Sequence, residues 1–235
     1  MHRRSLILLP LCFVAACATR MGAGGRTETV VDAKYLAKGE IDRVIDAARA
    51  EVVGGLFRFA EKLYRRNPRE LKKGNSPTVE AAMARLRGSR RLNFQELDGR
   101  RGGAAAMLAF REDYAGDRVL ALMAGLLGMA YAAFEDKDDF YLLDDLDEQK
   151  LYNCARNLEI AMWKLASTKT AGGELMLLSN ELDPNNRNLS FEREFGRITG
   201  LLDFLAKLVA DKHGRIISRV AQNMATAIFL PVGGL

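Results

Sequence analysis

The side chains best suited to chemistry are few and far apart. The chain has two histidines, His2 and His213, and three cysteines, Cys12, Cys17 and Cys154. No histidine-rich zinc site can be built from that set, and a Ser-His-Asp or Cys-His arrangement would have to use His213. His213 sits in Asp211-Lys212-His213-Gly214-Arg215, a turn sequence between two helical patterns. A cation near a helix C-terminus is mildly stabilising there, so a helix-end role is expected ahead of a catalytic one. Glu181, Asp183, Glu192 and Glu194 are the carboxylates nearest a turn that could do acid–base work. Such work needs two groups held close with separated pKa values.

Residues 135–148 hold eight acidic residues in fourteen. An EF-hand needs a glycine at its sixth loop position and a glutamate at its twelfth, and this stretch has no such glycine and no correctly placed glutamate. Phe140-Tyr141-Leu142-Leu143 also interrupts it. Asp144, Asp145, Asp147 and Glu148 fall where the next helix should begin, and carboxylates there satisfy free N–H groups and the positive helix end. No phosphate loop, dinucleotide fingerprint, nucleophile elbow or paired-cysteine pattern appears. Catalytic residues, metal ligands and cofactors are therefore assigned to none of the chain.

The clearest functional signal is at the start. His2, Arg3 and Arg4 form a positive opening, Leu6–Val14 is an almost unbroken apolar run, and Ala15 and Ala16 are small. That order is the pattern of an export signal, and the run is too short for the roughly 20 residues of a bilayer span. The tetrad Val14-Ala15-Ala16-Cys17 resembles the lipobox of bacterial lipoprotein precursors. The resemblance covers only residues 1–17. It implies cleavage between Ala16 and Cys17, diacylglycerol on the Cys17 sulfur and an acyl chain on the new amine. Ala18 stands where lipoprotein families often place an aspartate for inner-membrane retention. By that resemblance the outer membrane, facing the periplasm, is the expected home.

Cleavage would remove Cys12 with the signal and lipid would occupy Cys17, leaving Cys154 without a disulfide partner. Its neighbours Leu151, Ala155 and Leu158 mark a helix face, so Cys154 reads as a small buried hydrophobe. Loss of Arg3 and Arg4 lowers the formal charge from +5 to +3. No nucleic-acid partner is expected. Residues 58–101 are strongly basic, which suits either phospholipid headgroups or a solvated surface balanced by the acidic stretch; the balanced surface is preferred.

Apolar residues make up 49% of the chain and charged residues 28%, values of a globular protein. Residues 1–16 read as signal, 17–31 as a Gly-rich flexible tether and 32–235 as one helical domain. Ile41, Ile45, Ala48, Val52, Leu56, Phe59 and Leu63 step at helical spacing until Asn67-Pro68. Gly54-Gly55 in their midst marks a kink or a close helix crossing. Ser76-Pro77 should open a short helix carrying Val79, Met83 and Leu86. Leu92, Phe94 and Leu97 should pin an irregular stretch to the core. Residues 119–134 carry no charge and read as a central buried helix. A further helix is expected over about 147–168. Phe191, Phe195, Ile198, Leu202, Leu205 and Val209 form a narrow seam, with Gly196 and Gly200 allowing close approach. Ile217, Val220, Met224 and Ile228 repeat the spacing, which predicts a C-terminal antiparallel αα-hairpin.

The expected fold is all-α, about six or seven helices around residues 119–134. The expected function is a membrane-anchored envelope lipoprotein that supports or binds another envelope protein without catalysis. The alternative is a carrier or sensor for an apolar or lipid ligand held in the helical core. A carboxylate enzyme is a third reading.

Overall fold

Proline sets the first boundary of the helical body. α1 (Glu40–Arg66) stops at Asn67 because Pro68 pushes the preceding residue out of the α region, and α2 (Pro68–Lys73) then starts on that proline as its first residue. In the computed structural model the described residues are 18–21, 27–30, 39–141, 144–181, 185, 188–219, 222–223 and 226–233. The expected signal 1–16, with Ala16 at its cleavage point, and the expected lipidation residue Cys17 lie outside them, as does Asp183. Where a tether is expected, β1 (Ala18–Met21) pairs antiparallel with β2 (Thr27–Val30), Ala18 opposite Val30. Apart from this ribbon the fold is all-α.

Thr78, two residues later than expected, caps α3 (Val79–Gly88) by accepting the Ala81 N–H at 3.2 Å. A 3-10 turn at Gln95–Leu97 follows, and Leu92, Phe94 and Leu97 are buried as expected. Then come α4 (Gly102–Leu108), α5 (Arg118–Ala133), α6 (Glu148–Ser167) and α7 (Ser190–His213). Helices α1, α5, α6 and α7 close a ring, each packed on two of the others, and α4 lies along α5. Among the described residues no helix is long and apolar enough to cross a membrane. α5 is apolar all round because it is covered all round: Arg118–Leu127 is buried without a break.

Close approach is localised at two glycines. A methyl at Gly125 would lie 2.5 Å from the Ala106 nitrogen and 2.6 Å from the Gly102 carbonyl, so the α4 backbone rests directly on α5. A methyl at Gly55 would meet Ile198 Cγ1 at 2.8 Å, which makes Gly54-Gly55 a helix crossing between α1 and α7. Gly196 and Gly200, expected to admit a helix, face nothing within 4 Å. Between α1 and α7, Phe59 meets the rings of Phe191 and Phe195 edge-on, with centroids 5.4 and 4.3 Å away. Such pairs add about 0.5–1.5 kcal/mol each beyond area burial.

The C-terminal αα-hairpin is corrected. α7 ends at Gly214, whose φ of 62° closes the helix, and none of the described residues after it is helical. The described residues between 215 and 233 return across the body without helical structure. Phe229 covers Gly103, Val232 is buried, and a methyl at Gly233 would sit 3.0 Å from Ala132. Phe229, Val232 and Gly233 thus pack on the body.

Candidate functional site

The return of the C-terminal segment is organised by three amides on α6. Gln149, Asn153 and Asn157 recur every fourth residue and so line one helical face. The Gln149 side chain accepts the Ser218 N–H at 2.8 Å and donates to the Ser218 carbonyl at 3.0 Å. Asn157 does the same to Leu230, accepting at 2.6 Å and donating at 2.8 Å. Asn153 donates to the Pro231 carbonyl at 2.8 Å. Backbone groups that a second helix would have paired internally are thus paired by side chains. Asn67 holds the extended residues near Leu178 in the same two-way manner, at 2.7 and 2.9 Å. The apolar spacing from Ile217 to Ile228 mimicked a helix. The amide stripe at 149, 153 and 157, recurring at helical spacing, is the signal that could have revealed the docking.

His213 clamps the turn. It ends α7 as expected, with Nε2 2.6 Å from Asp145 and Nδ1 3.4 Å from Glu148. Glu148 is buried at the start of α6, so α7 ends where α6 begins and the two helices run antiparallel. Both ring nitrogens face carboxylates of this chain, which leaves neither free for a substrate. Arg215 lies farther off, 3.6 Å from Glu148 and 4.0 Å from Asp145.

Between α6, α7 and the returning segment lies an open groove of about 690 Å³. Tyr152, Ala206, Ala210 and Ile217 supply apolar lining. Arg156, Lys207, Arg215 and Arg219 supply positive charge, against Asp203 and Asp211. Arg156 is taken by Asp203 at 2.8 Å and Glu159 at 3.0 Å and stacks on the Tyr152 ring, while its Nε has no hydrogen-bond partner. Ile216, beside the groove's cations, is 93% exposed. The size falls within the range of small-molecule sites.

The other candidates have structural work. Glu181 pairs with Arg66 at 2.8 Å, Glu194 with Arg58 at 2.8 Å, and Glu192 accepts from Asn180 at 2.9 Å. These carboxylates have separate partners and form no facing pair. In the acidic stretch, Asp147 caps α6 by accepting the Gln149 and Lys150 N–H groups, as expected. Asp138 bridges Arg49 and Arg90 at 2.6 Å each, Glu135 takes Lys150 at 2.8 Å, and Asp144 takes Lys137 at 2.6 Å. The basic stretch and the acidic stretch thus meet, through Arg90 and Asp138, as a balanced surface. A smaller hollow of about 200 Å³ lies by Arg49, Arg90 and Tyr131, with Asp138 already seated between the guanidiniums. Among the described residues no group of three His, Cys, Asp or Glu side chains could hold a metal ion. Cys154 is buried, and burial pushes its thiol up to about 12, far from a reactive thiolate.

One buried polar cluster was not foreseen. Asp117 and Glu70 sit together at the start of α5, 1% and 0% exposed. Asp117 Oδ1 caps the Leu120 N–H at 2.9 Å and Oδ2 accepts from the Tyr64 hydroxyl at 2.9 Å. Glu70 accepts the Arg118 N–H at 2.9 Å and Lys73 at 2.9 Å. Two carboxylates thus answer the free N–H groups and positive end of the most apolar helix. Burial pushes Asp117 up to about 6, with the Glu70 charge adding to it. A methyl at Gly74 would lie 2.6 Å from Asp117 Oδ2, so the cluster is sealed from ligand. Comparison of the chain with protein-family models, curated proteins and solved structures finds no match.

Proposed function

We propose that the chain is a lipid-anchored protein of the bacterial envelope, held by Cys17 in the outer membrane with its helical body in the periplasm. The body acts by binding another envelope component and not by catalysis. The observation that carries this is the residue order at the start: positive His2-Arg3-Arg4, apolar Leu6–Val14, then Ala15-Ala16-Cys17. The engagement of His213 and of the turn carboxylates within the chain supports a non-catalytic body. Mass spectrometry of the mature N-terminal peptide tests the anchor. The expected species begins at Cys17 and carries diacylglycerol and an amide-linked acyl chain. A peptide that retains Met1, or begins with an unmodified Cys17, refutes it. In-cell crosslinking of the anchored protein tests the partner, and recovery of no envelope protein argues against that half of the reading.

A second reading, ligand binding, is favoured by the groove beside α7. The interior near α5 offers no such space at Gly125, where even a methyl has no room. The ligand reading therefore belongs to the surface groove and not to the core.

A further inference from the structure

The α6–α7 groove combines an apolar floor with cations that the fold leaves uncommitted. Of the charged groups there, Arg156 is held by Asp203 and Glu159. Lys207 and Arg219 line the groove and make no ion pair or hydrogen bond to any described residue. Arg215 reaches its acids only at 3.6 and 4.0 Å, too far for a hydrogen bond. Asp211 is the acid that stands among them, and its carboxylate forms no ion pair with a described residue. The positive charge is therefore surplus, and it borders apolar surface instead of water alone. Ile216 stands 93% exposed between Arg215 and the floor residue Ile217. Ile216 thus extends the apolar surface of the floor next to the Arg215 charge. Long cationic side chains suit such a border, since their stems lie along apolar groups while their heads meet an anion.

We propose that this groove binds one anionic amphiphile, its acyl chain along Tyr152, Ala206, Ala210 and Ile217 and its anionic head on Lys207 and Arg219. The head is a phosphate or a carboxylate, as a phospholipid or a free fatty acid would present. The charge complementarity selects against zwitterionic and cationic heads, and the apolar floor selects against a bare anion. The site depends on the C-terminal segment being docked, because Ile217 and Arg219 belong to it and Gln149 fixes it through Ser218. It does not depend on the lipid anchor.

The test uses the full chain carrying Cys17→Ser, which cannot be acylated, so its outcome is separate from that of the anchor. Titration calorimetry is run with dodecyl phosphate, laurate, dodecylphosphocholine and inorganic phosphate, each below its micelle concentration. Dodecyl phosphate is expected to bind saturably at one site, at least tenfold more tightly than dodecylphosphocholine, with inorganic phosphate a negligible competitor. Laurate bound as tightly assigns fatty acids as well; laurate unbound assigns the phosphate head alone. Lys207→Glu with Arg219→Glu, both on the surface, should weaken dodecyl phosphate at least tenfold with the helical circular dichroism unchanged. Ile216→Ser, which leaves the core and the charges intact, should weaken it severalfold. Equal affinity for dodecylphosphocholine, or an unchanged affinity in the charge-reversed variant, overturns the proposal. So does binding seen only with phosphatidylglycerol vesicles and not with the monomeric amphiphile, which would make this face a membrane contact and not a single-molecule site.

Discussion

Replacing Asp117 by asparagine should change how stability varies with pH more than it changes the fold. The Asp117 carboxyl is 1% exposed and is pushed up to about 6 from an ordinary 3.8, chiefly by burial. Its hydrogen bonds from the Leu120 N–H and the Tyr64 hydroxyl act the other way and are outweighed. A carboxyl whose folded pKa lies above its unfolded value keeps its proton in the fold where the unfolded chain has released it. Its contribution to stability is whole below about pH 4 and is lost as pH rises through about 6. Two pH units of separation at 1.36 kcal/mol each amount to about 3 kcal/mol. Asparagine keeps an acceptor for Leu120 and is as good a cap, and the Tyr64 hydroxyl can turn to accept its amide. Urea melts of both proteins from pH 3.5 to 8 isolate the effect, because carboxylates remote from Asp117 titrate alike in both and cancel in the difference. The stability of Asp117→Asn relative to the parent should rise by about 3 kcal/mol across that range. A difference that stays flat, or that falls as pH rises, refutes the account of Asp117 as a buried, desolvation-strained carboxylate.

Gly125→Ala should destabilise by about 1–3 kcal/mol through overpacking on α4, although alanine is the better helix former. Gly196→Ala, with nothing within 4 Å, should instead stabilise by about 1 kcal/mol, and thermal melts that give both the same sign contradict the packing described. Asn157→Ala should cost about 1–3 kcal/mol by stranding the Leu230 backbone groups. Hydrogen exchange should quicken at Leu230 while the α1 amides stay protected; a segment equally protected in the variant is docked by something else. Thiol titration of the mature protein should find no reactive thiol when folded and one, Cys154, when unfolded. Two or three thiols on unfolding would contradict processing and acylation at Cys17.

Most of the helical architecture could be read from residue types, because helix ends and helix faces are local properties. Asn67-Pro68 stopped α1 where proline geometry requires, and Asp147 capped α6 as its position predicts. The seam from Phe191 to Val209 is buried along its length. The errors came where a pattern was local and its resolution was not. Ile217 to Ile228 has helical spacing, yet amides 69–78 residues earlier in the chain take up backbone groups at Ser218, Leu230 and Pro231, a competition invisible to any window of neighbours. Gly196 and Gly200 have the spacing of a close contact, but α7 turns that face to open space and receives Gly55 through Ile198 instead.

By itself, then, the sequence determined the all-α class and the buried character of residues 119–134. Each follows from the period, sign and size of side chains along the chain. Only the tertiary structure decided what the charged and amide groups do, because their energies depend on the partner that meets them and on whether water is excluded. Asp117 and Glu70 became the polar seat of the central helix, Asp138 became a bridge between two arginines, and Lys207 and Arg219 were left beside an apolar groove without an ion pair to any described residue.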